Sequence, residues 1–322
     1  MRKFLKDERF DAYFPVDETS CRILFSVYPV SVKQTVPIKP GWINVSSWTN
    51  LTSDFICFSK ENYDYMKSLS KYSSVNVHLI PNRVNKVKCD SSRINRFKEE
   101  FKVNENEIIL FGVSRIDPDK TSVFKSLVAL YEKLSAIKLP VKAFLIGAVN
   151  SEKVLNDIQK EFGDKISIIT DPLYTTNVSQ LFSMSYAIVG MGRTAMESMS
   201  LGIPTFIPLM HSQLPLLIDS ETFEAALSAN LTYRTNVANP ILKSNLKKIE
   251  RLHIGYENIC EETQIIFKDN LDIDSGIKNY IEIIDNQKNN TRDYIKEIRA
   301  FLFSNIRWTT AIIYSKIRKW KD

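Results

Sequence analysis

The chain has 322 residues, long enough for about two α/β domains, each with its own buried core. Hydrophobic residues make up 44% and charged residues 25%, close to ordinary globular usage, which excludes disordered, collagenous and coiled-coil classes. The net charge is +6, but eight basic against three acidic residues between Arg292 and Asp322 place +5 of it at the end of the chain. With so little left elsewhere, a general nucleic-acid-binding surface is not expected.

No stretch reaches the roughly eighteen uninterrupted apolar residues that cross a bilayer. The opening MRKFLKDERFDAYF also lacks the apolar core and cleavage site of a signal peptide, so a cytoplasmic location is expected. Cys21, Cys57, Cys89 and Cys260 lie too far apart for a local metal or redox motif, and His78, His211 and His253 are scattered. Free thiols, no zinc and no bound cofactor are expected.

The first 88 residues offer three strand patterns, DAYFPV, DFICFSK and VNVHLIPN. Residues 17–50 show no clear period. This part reads as a partial Rossmann-like domain. From residue 89 to 290 apolar runs alternate with helical-period segments, the signature of βα units on a parallel sheet. IILFGVSRI, from Ile108 to Ile116, is a buried strand. A helix follows with Phe124, Leu127, Val128, Tyr131 and Leu134 on one face, ended by Pro140. VKAFLIGA is the next strand, and Ser151 opens a helix with Val154, Leu155 and Ile158 inward, closing near Gly163. KISIIT is a strand and VSQLFSMS a short helix. YAIVGMG is a strand turning at Gly190–Gly192 into the helix RTAMESMSL, before Gly202 and the strand PTFIPL. After Pro208 the pattern weakens, with helices around 243–252, 256–268 and 275–286. Residues 291–322 form a basic amphipathic segment. Its stripe of Ile295, Ile298, Leu302, Ile306, Thr309, Ile313, Lys316 and Trp320 fits either an interfacial helix drawn to anionic lipid or a helix packed on the domains.

Two constellations carry chemistry. Arg115 and Lys120 sit in a loop after a parallel strand, at the carboxyl edge where open α/β sheets bind ligands, and two cations there suit a diphosphate. Ordinary solvated charges are the alternative. Gly190-Met-Gly-Arg-Thr-Ala-Met-Glu197 is a strand-to-helix turn whose glycines admit close ligand approach and whose helix start offers N–H groups to an anion. Thr194 and Glu197 also have capping-box spacing, so a plain well-capped helix is the alternative there.

These segments resemble a family. FGVSRIDPDK is similar to the "vGRl.peK" segment of glycosyltransferase family 4, with Arg115 and Lys120 at the family's spacing, and GMGRTAMESMSLGIPTFI resembles its "EGFGlalLEAmA.GvPvi" stretch. DFICFSKENYDYMKSL and VNVHLIPNRVN resemble the family's "D.vi.vS....l" and "viPNGVD" segments. All four occur in order, from about Asp54 to Pro208. The resemblance implies a GT-B-like α/β fold: a complete doubly wound donor domain plus a partial Rossmann-like amino-terminal domain. It implies transfer of a sugar, with retention, from a nucleotide-diphosphate donor to a glycan or lipid-linked acceptor in bacterial surface polysaccharide synthesis.

Carried over residue by residue, Arg115 and Lys120 would hold the diphosphate and stabilise the leaving group. Gly190, Gly192, Arg193 and Thr194 would lie against the diphosphate and sugar, and Glu197 would accept from the ribose hydroxyls as second glutamate of E-x7-E. Three features depart from the family. Val189 stands where the first glutamate belongs, Arg83 replaces the glycine of "PNGVD", and the family's Gly-rich loop and catalytic histidine have no match. His78 lies within a strand pattern and reads as structural. His211, after PTFIPL, is a candidate near the donor. These departures keep open a second reading, a catalytically reduced glycosyltransferase-like protein that binds a nucleotide or a partner glycosyltransferase.

Overall fold

The computed structural model describes residues 10, 12–27, 35–41 and 52–288. The described residues form two compact units, one of those up to Asn82 together with 277–288, the other of residues 83–276. The first boundary falls earlier than residue 88. The second falls before 290, because the last described helix sends Ile283 and Tyr280 into the first unit's core. The basic segment 291–322 lies outside the described residues.

The first unit is a parallel three-stranded sheet in the order β1 (Ile38–Lys39), β2 (Asp54–Cys57), β3 (Asn76–Leu79). In β2 and just beyond it, Phe55 and Cys57 enter one core with Cys21, Met66 and Val77, while Ile56 and Phe58 enter another with Val36, Ile38 and Ile283. Burial on both faces is what a parallel strand requires. α1 (Glu18–Val27) falls in the stretch without clear periodicity. α2 (Lys60–Ser68) follows β2 directly, capped by Ser59, whose side chain accepts from the Asn62 amide. The expected strand DAYFPV is reduced to one bridge, Tyr13 with Thr35.

The second unit holds α3 (Ser91–Glu100) and a six-stranded sheet in the order β6-β5-β4-β7-β8-β9. The strands are β4 (Ile108–Val113), β5 (Val141–Ile146), β6 (Ser167–Ile169), β7 (Ala187–Val189), β8 (Thr205–Leu209) and β9 (Ser212–Leu217). All pairings are parallel except β8 with β9. α4 (Thr121–Ala136) and α5 (Glu152–Phe162) cover one face, burying Phe124, Leu127, Val154 and Ile158 against Leu110, Leu145 and Val189. α3 and the short α6 (Pro172–Thr175) cover the other, where Phe97 and Tyr174 meet Phe111, Phe144 and Ile188. Ser151 caps α5 as its position predicts. VSQLFSMS forms a 3-10 helix, Val178–Met184.

α7 (Arg193–Met199) packs Ala195, Met196 and Met199 against Ile207 and Leu216 of the outer strands. After β9 in the chain come α8 (Phe223–Ser228), α9 (Asn239–Glu250), α10 (Tyr256–Ile266) and α11 (Ile273–Lys288), most of which belongs to the first unit. The last three occupy the regions where the sequence predicts helices, while α8 and β9 fall where its pattern fades. Val84 pairs with Asp272 beside the unit boundaries. There Arg83 donates to the Asp272 carbonyl at 3.1 Å and to Ser275 Oγ at 2.6 Å.

Candidate functional site

Strand order places the site. From β4 the chain builds outward through β5 and β6, then returns to lay β7 on the opposite flank of β4. The order therefore reverses between β4 and β7, and the crevice outside the carboxyl ends of two such strands is where open α/β sheets receive ligands. Gly112 is in register with Val189. The two segments singled out in the sequence thus leave adjacent strands at one sheet edge: Ser114–Lys120 after β4 and Gly190–Arg193 after β7.

The β4 loop is held by backbone. Ser114 donates to the Ile146 carbonyl at 3.2 Å, and Ile116 pairs with Val149 past the regular ladder. A Cβ on Gly147 would overlap the Ser114 carbonyl oxygen, so glycine alone permits this approach. Ile116 is fully buried, whereas its neighbour Arg115 is exposed. A 3-10 turn, Pro118–Lys120, then leads into α4. Lys120 Nζ lies 2.7 Å from Asp119 Oδ2, with the lysine side chain 24% and the aspartate side chain 54% exposed. The hydrogen bond from Lys120 is the main cause holding the Asp119 carboxyl below the ordinary carboxylate range, and the charge of Arg115 adds to it. Asp117 accepts from Asn150 Nδ2 at 3.1 Å, tying the loop to the one after β5.

The β7 turn has only three residues, Gly190, Met191 and Gly192, between strand and helix. Gly190 leaves room for the Thr194 methyl group, which any Cβ would overlap. Gly192 has φ 53° and ψ −118°, a conformation essentially restricted to glycine. Its N–H donates to the Leu231 carbonyl at 2.8 Å, and the Thr194 N–H to Met191 at 3.2 Å. Two amides that the sequence offers to an anion are therefore engaged within the protein.

The capping-box reading of Thr194 and Glu197 does not hold. Gly192 is the residue preceding the helix, so Thr194 lies inside it, and no side-chain cap forms. Glu197 instead accepts from Arg193 Nε at 2.7 Å through Oε1. The glutamate side chain is 15% exposed and that of Arg193 is 80% exposed.

Val189 is 1% exposed and packed in the core with Phe206 and Leu110. The short turn leaves this position inside the strand, where a carboxylate would have neither water nor partner. His211 lies between β8 and β9 and is exposed; His78 Nε2 lies 2.9 Å from Asp54 Oδ1 on the first unit's sheet. Sequence reasoning did not find Asp119, although its place beside Lys120 was in view. Among the described residues no group of three or more His, Cys, Asp or Glu side chains could hold a metal ion, and no helix is long and apolar enough to cross a membrane.

No protein-family model matches the chain, and no curated protein sequence matches it. Solved structures do. A glycosyltransferase from Rickettsia africae superposes with a TM-score of 0.63 at 14% identity, covering 90% of this chain and 80% of that one. HepE of Anabaena, solved with UDP and glucose, gives 0.56 at 13% identity, covering 86% and 78%. The pneumococcal O-GlcNAc transferase GtfA, solved with UDP and GlcNAc, gives 0.53 at 14% identity, covering 90% of this chain and 60% of that one. At such identities the likeness speaks for architecture alone, and the architecture of this chain is GT-B-like α/β.

Proposed function

We propose that the chain is a glycosyltransferase that moves a sugar from a nucleoside-diphosphate donor to a glycan or lipid-linked acceptor, in bacterial surface polysaccharide synthesis and with retention. The observation that carries this reading is the convergence of the Arg115–Lys120 loop and the Gly190–Glu197 turn on the reversal of strand order between β4 and β7. Arg115 and Lys120 hold the diphosphate and neutralise charge on the leaving nucleotide, work that preorganised cations do well. The Gly190–Thr194 turn lies along diphosphate and sugar, and Glu197, released from Arg193 or shared with it, accepts from the ribose. UDP is the first nucleotide to try, because HepE and GtfA were both solved with it. The basic segment 294–321 brings the enzyme to anionic membrane, where a lipid-linked acceptor resides.

The buried Val189 favours a second reading, a reduced protein that binds nucleotide or a partner glycosyltransferase without turnover. Release of nucleoside diphosphate from a panel of nucleotide sugars separates the two. Release that disappears in Lys120→Ala supports the enzyme. Nucleotide binding with no release from any donor or acceptor supports the second.

A further inference from the structure

We infer that Asp119 is a resident counter-ion of the donor site, which occupies Lys120 when the site is empty, yields it to the donor's diphosphate and reclaims it as the nucleoside diphosphate leaves. The inference rests on the donor-site reading above. Lys120 Nζ is 2.7 Å from Asp119 Oδ2, so the ammonium assigned to a phosphate already has an anion at contact distance. The pairing is local: both residues lie in the 3-10 turn that begins at Pro118, and Lys120 N–H is bound to the Asp117 carbonyl at 3.0 Å. The lysine side chain is largely covered while that of the aspartate is about half exposed. The lysine therefore stays in place, and the carboxylate has water to swing into.

A phosphate reaching Lys120 meets this carboxylate as a like charge and displaces it. The displacement costs the exposed ion pair, a small quantity. It therefore weakens anion binding without abolishing it. Donor and product both carry the diphosphate, so the effect is nearly uniform along the reaction. Asp119 raises KM for donor and hastens product departure, with no direct contribution to the chemical step. The same arrangement recurs across the crevice, where Arg193 holds the Glu197 carboxylate at 2.7 Å. Counting Asp117 against Arg115, three cations at this sheet edge face three carboxylates, so a diphosphate gains a full cation only where a carboxylate yields one.

Asp119 is thus a positioning residue acting through Lys120, and UDP binding measured by calorimetry and stopped flow tests it. Asp119→Asn should bind UDP roughly two- to fivefold more tightly, the range expected for an exposed pair, with slower dissociation and a melting temperature only slightly below that of wild type. Asp119→Glu, which keeps the carboxylate, should behave as wild type. Unchanged or weaker UDP binding by Asp119→Asn, with Lys120→Ala still weakening it, would overturn this proposal and leave the donor-site reading standing. Equal binding of UDP and of every other nucleoside diphosphate of the panel by Lys120→Ala and wild type, including none by either, would overturn the donor-site reading and this proposal with it.

Discussion

Arg193 Nε donates to Glu197 Oε1 across 2.7 Å, joining two residues one turn apart on α7. The bond takes the glutamate out of helix capping and presents its remaining carboxylate capacity beside the turn. Glu197→Gln keeps the shape but replaces an acceptor oxygen with a donor NH2. UDP affinity measured by calorimetry should fall by about 1–3 kcal/mol while the melting temperature stays near wild type. Equal affinity in both proteins would remove Glu197 from the site.

Lys120→Ala should weaken UDP binding by about 1.5–3 kcal/mol, the size of a charge-assisted phosphate contact. The lysine side chain is partly covered but, among the described residues, its one ion pair is with its half-exposed neighbour Asp119. Denaturant unfolding should therefore shift by no more than about 0.5 kcal/mol. A large loss of stability would assign the lysine to the fold.

The Asp119–Lys120 pair has a signed pH dependence. Because the folded pKa of Asp119 is lowered, the pair's contribution is present above the unfolded carboxylate pKa and fades as pH falls through the folded one. Exposure keeps it below about 1 kcal/mol. Unfolding free energies of wild type and Asp119→Asn should differ slightly at neutral pH and converge in acid; divergence in acid would contradict the pair.

Val189→Glu puts a glutamate at the position where the glycosyltransferase segment that this stretch resembles carries one, but in a buried place. The position is 1% exposed among aliphatic side chains, so an unpaired carboxylate there should cost at least about 3 kcal/mol or prevent folding. A stable variant with a neutral-pH carboxylate, measured by unfolding and by titration, would show that the position opens onto the site.

Truncation after Asn290 removes the basic segment. If that segment docks on membrane, the intact protein should bind anionic vesicles, added salt should weaken the binding, and the truncated protein should sediment free of them. A truncated protein that melts much lower or aggregates would instead mark the segment as a packed helix.

Much of the second unit is legible in the chain. Ile108–Val113, Val141–Ile146 and Thr205–Leu209 are continuous apolar runs because both faces of a parallel sheet are covered, and α4 declares itself by a 3.6-residue apolar stripe. β9 was hidden because it carries Pro215 and lies at the antiparallel edge, where ladder hydrogen bonds can be omitted. α1 was missed although Cys21 and Leu24 are buried at helical spacing, because it is a ten-residue run inside a longer stretch whose remainder is irregular.

The sequence by itself determined which residue types stand at Arg115, Lys120 and the Gly190–Glu197 turn, and that each follows a buried strand. It could not decide that these strands are neighbours, because β4 and β7 pair only after two intervening βα units have been laid on the far side. Nor could it decide between a capping box and an ion pair at Glu197. Thr194 and Glu197 have capping-box spacing while Arg193 and Glu197 stand four apart, and the choice follows from where the helix begins, which Gly192 sets with a backbone conformation held by the Leu231 carbonyl. Local pattern records burial and period, whereas strand order and helix starts depend on hydrogen bonds between residues far apart in the chain, whose partners no local window contains.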